Sequence, residues 1–174
     1  SLSLVSYLRR PVVASIDEIS SVIDVGAGTG ALGIFVAKHY RNVEDLIFLE
    51  ENPRAIATCA FNIVHNLGRG KKTTWQSDSS ELASYVRRLV NGESNVSLVD
   101  DEGQRRKVTI CRGNAISLLK RGAVQRLLGK QGKRADLLVS APPYLPNANR
   151  ILPGMWGAVA GTDLLAYLLQ HGLR

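Results

Sequence analysis

The sequence predicts an α/β fold, a doubly wound parallel sheet with helices on both faces, and three observations predict it. Short apolar runs at 22–25, 46–49 and 137–139 read as strands, and the run at 46–49 is unbroken, as in strands buried on both faces of a parallel sheet. Stretches with helical spacing lie between the runs, so strand and helix alternate along the chain. The first run ends in Gly26, Gly28 and Gly30, which lead directly into a helix-compatible stretch. Glycines at alternate positions let the backbone take unusual dihedrals and approach a ligand closely, and the helix that follows directs its N-terminal N–H groups toward it.

The elements follow in order. Residues 2–19 mix apolar and basic side chains, broken by Pro11, and read as an arm or short helix. Strand 22–25 and its glycine turn lead to a helix over about 30–40. Strand 46–49 ends at Glu50 and Glu51. Asn52 then caps a helix with Pro53 at its first position, which carries Ile56, Cys59, Ala60 and Ile63 on one face and stops near Gly68. The stretch 69–107 reads as an insertion that extends the sheet or shields a face. It holds a basic loop at 69–72, a helix at 81–90 started by Ser79 or Ser80, a short strand at 96–99 and a turn at 100–103. Strand 108–111 leads to Arg112, Gly113 and Asn114, and then to a helix with Ile116, Leu119, Ala123 and Leu127 on one face. Strand 137–139 runs into Ser140-Ala141-Pro142-Pro143-Tyr144, and a helix over about 162–170 closes the chain.

Composition sets the outer limits. At 174 residues the chain reads as one domain, and 45% hydrophobic with 21% charged residues is ordinary for a globular protein. No apolar run is long enough to cross a bilayer and residues 1–10 lack a signal-peptide pattern, so a cytoplasmic protein away from membranes is expected. Cys59 and Cys111 are far apart without ligand spacing and read as reduced core thiols. His39, His65 and His171 are isolated, so no metal site is expected. The net charge of +7 permits an acidic partner. Seven basic and no acidic residues lie between Arg112 and Arg134, which suits either a solvated helix face or a nucleic-acid footprint.

In such a sheet, ligands sit beyond the carboxyl ends of the strands. The strand ends gather the glycine turn, Glu50, Asn114 and the Pro-Pro-Tyr segment around one crevice. Glu50 lies about twenty residues beyond the glycine turn, a spacing that favours a carboxylate accepting ribose hydroxyls over the plainer reading of an acid at a helix N-terminus. Asn114 suits an adenine edge or a turn. Pro142 and Pro143 fix an extended backbone and remove two donors, which leaves carbonyls free to accept hydrogen bonds, and Tyr144 offers a ring for a planar group to stack on. Such a site suits an NH2 group on a planar amide or base.

On these residues the chain resembles a class I S-adenosylmethionine-dependent methyltransferase, and within that class the HemK/PrmC-like glutamine methyltransferases and related small-domain RNA methyltransferases. The stretches that carry the resemblance run from Asp24 to Gly33, from Glu50 to Ala55 with Asn62 downstream, from Arg112 to Ala115, from Asp136 to Pro146 and from Gly161 to Leu165. The resemblance implies a Rossmann-like sheet, here truncated after the fourth core strand. It implies S-adenosylmethionine as cofactor, bound by Asp24, Gly26, Ala27, Gly28, Gly30, Glu50, Glu51 and Asn114, and an acceptor site at Ala141, Pro142, Pro143 and Tyr144. The acceptor it implies is a glutamine of a translation protein such as a release factor, or an exocyclic amine in rRNA, tRNA or DNA. The family motif is Asn-Pro-Pro-Tyr, whose Asn accepts a hydrogen bond from the reacting NH2; here Ala141 stands in its place. That departure motivates a second reading, a binding module that keeps the fold without turnover. A nicotinamide-dependent oxidoreductase is a third, because a glycine turn followed by an acid occurs there too.

Overall fold

The computed structural model describes residues 18–68, 79–100, 102–120, 122, 126–128, 135–141 and 167. The expectations for the N-terminal arm up to residue 17, the basic loop at 69–72, the Pro142–Pro143–Tyr144 segment and most of the helix at 162–170 lie outside these residues. Five strands form one sheet: β1 (Ser21–Val25), β2 (Asp45–Glu50), β3 (Val96–Val99), β4 (Arg105–Arg112) and β5 (Leu137–Ser140), in the order β3–β4–β2–β1–β5. Four of them run parallel, and β3 runs antiparallel to β4. The sheet is therefore mixed rather than wholly parallel. The stretch at 96–111 is a hairpin that extends it by one edge strand, as one of the two readings of the insertion expected. Gly103 makes the hairpin turn possible: its φ is 84° and its N–H donates to the Asp100 carbonyl at 3.0 Å.

Helix α1 (Ala31–His39), α2 (Pro53–Leu67) and α3 (Ser79–Val90) cover one face, and α4 (Ala115–Lys120) packs on the other. The alternation of side chains along each strand divides the core accordingly. Val22, Leu46, Phe48, Val108 and Val139 join α1, α2 and α3 in one cluster, while Ile23, Val25, Ile47 and Leu49 meet Leu118, Leu119 and Leu128 in the second. Helix α2 forms as its sequence demands. Asn52 accepts the Arg54 N–H at 3.0 Å, Pro53 sits where its missing donor costs nothing, and Ile56, Cys59, Ala60, Ile63, Val64 and Leu67 all face inward. It ends at Gly68 in extended backbone, φ −90°, where a Cβ would stand 2.6 Å from the Val64 carbonyl oxygen. The helix expected to run through Leu127 is interrupted: α4 stops at Lys120, because Gly122 turns into the left-handed region (φ 63°) with its N–H on the Leu119 carbonyl.

The chain moves outward from β1 to β2 to β4, then crosses the sheet through α4 to place β5 on the other side of β1. The order thus reverses beside β1, and the carboxyl ends of the parallel strands finish level with one another. Val25 is opposite Leu49 and Ser140, and Glu50 is opposite Arg112. At the other end of the strands, Asp136 Oδ2 accepts four hydrogen bonds from the main chains and hydroxyls of Ser20 and Ser21, at 2.8–2.9 Å, which pins the start of β5 to the start of β1. Among the described residues no helix is long and apolar enough to cross a membrane.

Candidate cofactor crevice

The glycine turn after β1 is built by its own dihedrals and by the strand beside it. Gly26, Gly28 and Gly30 have φ of 69°, 56° and 79°, a region that costs a side-chain-bearing residue about 1 kcal/mol or more. The N–H groups of Gly26 and Ala27 both donate to the Leu49 carbonyl, at 2.9 and 3.0 Å, and Gly30 N–H closes the turn on the Ala27 carbonyl at 2.8 Å. Asn62 reaches from α2 and donates to the Thr29 carbonyl at 2.9 Å. The glycines divide by what surrounds them. A Cβ at Gly30 would lie 2.8 Å from Cys59 Sγ, and one at Gly33 would lie 2.5 Å from the Phe48 ring, so these two serve close packing. A Cβ at Gly28 would meet nothing within 4 Å: there the open crevice begins.

Three carboxylates line this end of the sheet. Asp24, on β1, is 2% exposed and accepts the Gly33 N–H at 2.9 Å. It caps α1 from below, a function that Gly30 at the N-cap position has no side chain to perform. Burial pushes the Asp24 carboxyl up to about 7; the Gly33 hydrogen bond opposes that rise and the charge of Glu50 adds to it. The same burial, with the charges of Asp24 and Glu50, holds the Cys59 thiol far above its ordinary range, so it is an inert packing group under the turn. Glu50, half-buried at the end of β2, accepts the Gly28 N–H through Oε2 at 2.7 Å, and the Glu51 and Asn52 N–H groups through Oε1 at 2.9 and 2.8 Å.

Asn114 stands at the end of β4, beside the exit of β2. Its Oδ1 accepts the Ser117 N–H at 3.2 Å, which caps α4, and its Nδ2 donates to Glu51 Oε2 at 3.4 Å. The amide orientation follows from its partners, since the backbone N–H can only donate and the carboxylate can only accept. Ala141 is exposed directly after β5, where Ser140 Oγ donates to the Val25 carbonyl at 2.7 Å and holds the two strand ends together. The structure thus places Asp24, the glycine turn, Glu50, Glu51, Asn114 and Ala141 at one end of the sheet. Pro142, Pro143 and Tyr144 lie outside the described residues. Among the described residues no group of three His, Cys, Asp or Glu could hold a metal.

The electrostatics narrow what this crevice can take. A turn that cradles a pyrophosphate keeps its N–H groups for the phosphate oxygens. Here Gly26 and Ala27 donate to a main-chain carbonyl and Gly28 donates to a carboxylate. An anion would meet Glu50 instead of donors. A nucleoside without phosphates, carrying positive charge, suits the carboxylates and the open space at Gly28.

Sequence comparison agrees on the class of protein. The family model described as the methyltransferase small domain matches residues 4–91, half of the chain, including the glycine turn, Glu50 and Glu51 but not Asn114 or Ala141. No curated protein matches the chain.

Proposed function

The chain belongs to the methyltransferase small domain family, and from that premise we propose that it is an S-adenosylmethionine-dependent N-methyltransferase of the HemK/PrmC-like kind. Its acceptor is a planar amino group, either the side-chain amide of a glutamine in a translation protein or the exocyclic amine of a base in RNA or DNA. The observation that carries the cofactor reading is the Glu50–Gly28 hydrogen bond at 2.7 Å, which fills the turn with a carboxylate where a dinucleotide would need a free donor. The residues present fit S-adenosylmethionine. Gly28 leaves room for close approach, Glu50 has acceptor capacity for ribose, and Glu50 and Glu51 together favour a cation.

When bound, the cofactor supplies a methyl group on a positively charged sulfur. The chain's part is to hold and orient. Gly28, Glu50 and Glu51 bind, Asp24 holds the start of α1 beneath the turn, and Asn114 with Glu51 borders the crevice on the side of β4. Catalysis of this kind comes from positioning and electrostatics rather than from a covalent intermediate. The segment after Ala141 positions the acceptor nitrogen. The excess of basic residues supports a nucleic-acid or ribosomal acceptor.

The test is methyl transfer from radiolabelled S-adenosylmethionine to separate rRNA, tRNA, DNA and release-factor fractions. Incorporation into one fraction, lost in Tyr144→Ala, is the expected result; no incorporation into any of them contradicts it. Ala141 motivates the second reading, a non-catalytic binding module. That reading predicts S-adenosylhomocysteine binding without turnover, and appearance of activity in Ala141→Asn.

A further inference from the structure

We infer that the outward face of α2 is a docking surface for single-stranded nucleic acid, separate from the crevice and independent of what the crevice binds. Steps of three and four residues return to the same side of a helix, so positions 54, 58, 61 and 65 form one stripe. In α2 these are Arg54, Thr58, Phe61 and His65, all exposed, and they lie opposite the face that Ile56, Cys59, Ala60, Ile63 and Leu67 bury. Phe61 is 53% exposed, the most open large apolar side chain among the described residues. An exposed apolar residue by itself is ordinary. This one is paired: the His65 ring stands parallel to it, with centroids 5.9 Å apart and an interplanar angle of 4°. The two rings make an offset platform, and a flat ring face open to solvent is what an unpaired base stacks on.

The charge around the platform identifies the partner. Helices α1 and α2 contain no acidic residue, and α3 contains one, Glu81, which accepts the Tyr85 hydroxyl at 3.2 Å. Both α1 and α3 pack against α2, and their exposed cations Lys38 and Arg87 join Arg54 in a layer whose charge is predominantly positive. Arg88 of α3 is already paired with Glu93. Helix α1 repeats the aromatic device: the Phe35 and His39 rings stack at 3.8 Å, and His39 Nδ1 donates to the Phe35 carbonyl at 2.9 Å. Cations and open rings together suit a polyanion whose bases are unpaired. A duplex would satisfy the cations but hide its base faces, and an acidic peptide would leave the rings without a planar partner.

The experiment is fluorescence anisotropy of the chain with labelled oligothymidine, alone and annealed to its oligoadenosine complement, over a series of salt concentrations and with polyglutamate as competitor. The single strand is expected to bind more tightly than the duplex. Phe61→Ala alters an exposed side chain and leaves the fold intact; it is expected to weaken the single strand about tenfold at every salt concentration. Arg54→Ala is expected to flatten the salt dependence, lowering the slope of log affinity against log salt by about 0.7. Arg105 is exposed on β4 and, by strand alternation with Arg106, on the other face of the sheet, so Arg105→Ala is expected to change neither quantity. Equal affinity in Phe61→Ala and the parent, or a loss in Arg105→Ala as large as in Arg54→Ala, would overturn the inference in favour of attraction by net charge alone. Tighter binding of the duplex would overturn it in favour of a surface that reads only phosphates, and displacement by polyglutamate at matched charge in favour of an acidic protein partner. No binding of either strand form would overturn it outright. Neither cofactor nor methyl transfer enters the measurement, so its failure is distinct from failure of the cofactor reading.

Discussion

Asp24 shows how far a single side chain is set by its surroundings. The sequence places it one residue before the end of a strand, and resemblance adds it to the cofactor site, but its hydrogen bond to Gly33 belongs to the packing of α1 on the sheet. A carboxyl raised from the ordinary 3.8 to about 7 binds its proton more readily in the folded state. Its contribution to stability is fully present below pH 3.8 and is lost as the pH rises through about 7. Asp24→Asn keeps an oxygen for the Gly33 N–H and removes the buried charge. Urea midpoints measured from pH 5 to pH 8 should therefore fall in the parent and stay nearly level in the variant, with the variant ahead at pH 8 by on the order of a few kcal/mol. The glycines separate in the same way. Gly30→Ala should cost about 2 kcal/mol or more, from its φ of 79° and the contact with Cys59 Sγ, and Cys59→Ala should recover part of that loss in denaturant melts. Gly28→Ala should cost only about 1 kcal/mol of stability, yet weaken ligand binding more than Gly30→Ala does. The spacing of the three glycines was legible in the sequence because only such a turn requires it. Which of them faces the crevice was not, because that depends on Cys59 and Phe48 arriving from other elements.

At the scale of elements, the strands and α2 were legible, since apolar runs and the Asn52-Pro53 start act locally. The break after α4 was not, because a glycine inside a helical pattern is tolerated as often as it ends one, and Gly122 ends this one. Long-range polar ties were equally hidden. Arg106 on β4 is 4% exposed; it pairs with Asp100, donates to Gln104 Oε1 at 2.8 Å and reaches the Ala37 carbonyl at 3.1 Å, so it fastens the hairpin to the end of α1. Arg106→Ala should cost about 3 kcal/mol in chemical denaturation, the low end for a pair whose acid is partly exposed, and Arg106→Met should cost less because it keeps the packing. Asp136 joins β5 to β1. Burial acts to raise its carboxyl, but the hydrogen bonds from Ser20 and Ser21 outweigh it and hold the carboxyl below the ordinary carboxylate range. This stabilisation is present above pH 3.8 and is lost as the pH falls through the lowered value of the folded state. Asp136→Ala should therefore speed amide exchange in β1 and β5 at neutral pH while leaving the β3–β4 hairpin as protected as before.

Across the whole molecule, a chain of net charge +7 carries three carboxylates at the carboxyl ends of its central strands. The sheet order explains how they meet: β1, β2 and β4 lie side by side, and the reversal beside β1 opens the space in front of the glycine turn. Their convergence was legible because strand ends in alternating α/β chains share one edge of the sheet. The strand β3 was legible from the alternation of Val96–Val99 and the turn that follows it, whereas its antiparallel place at the edge of the sheet depends on pairing with β4. We propose that this acidic crevice takes an S-adenosyl nucleoside rather than a dinucleotide. Isothermal titration with S-adenosylhomocysteine, alongside NAD, tests it most directly. Saturable binding of the first, weakened in Gly28→Val, and no heat from the second are expected. Binding of NAD, or silence from both ligands in a chain that melts cooperatively, would contradict it.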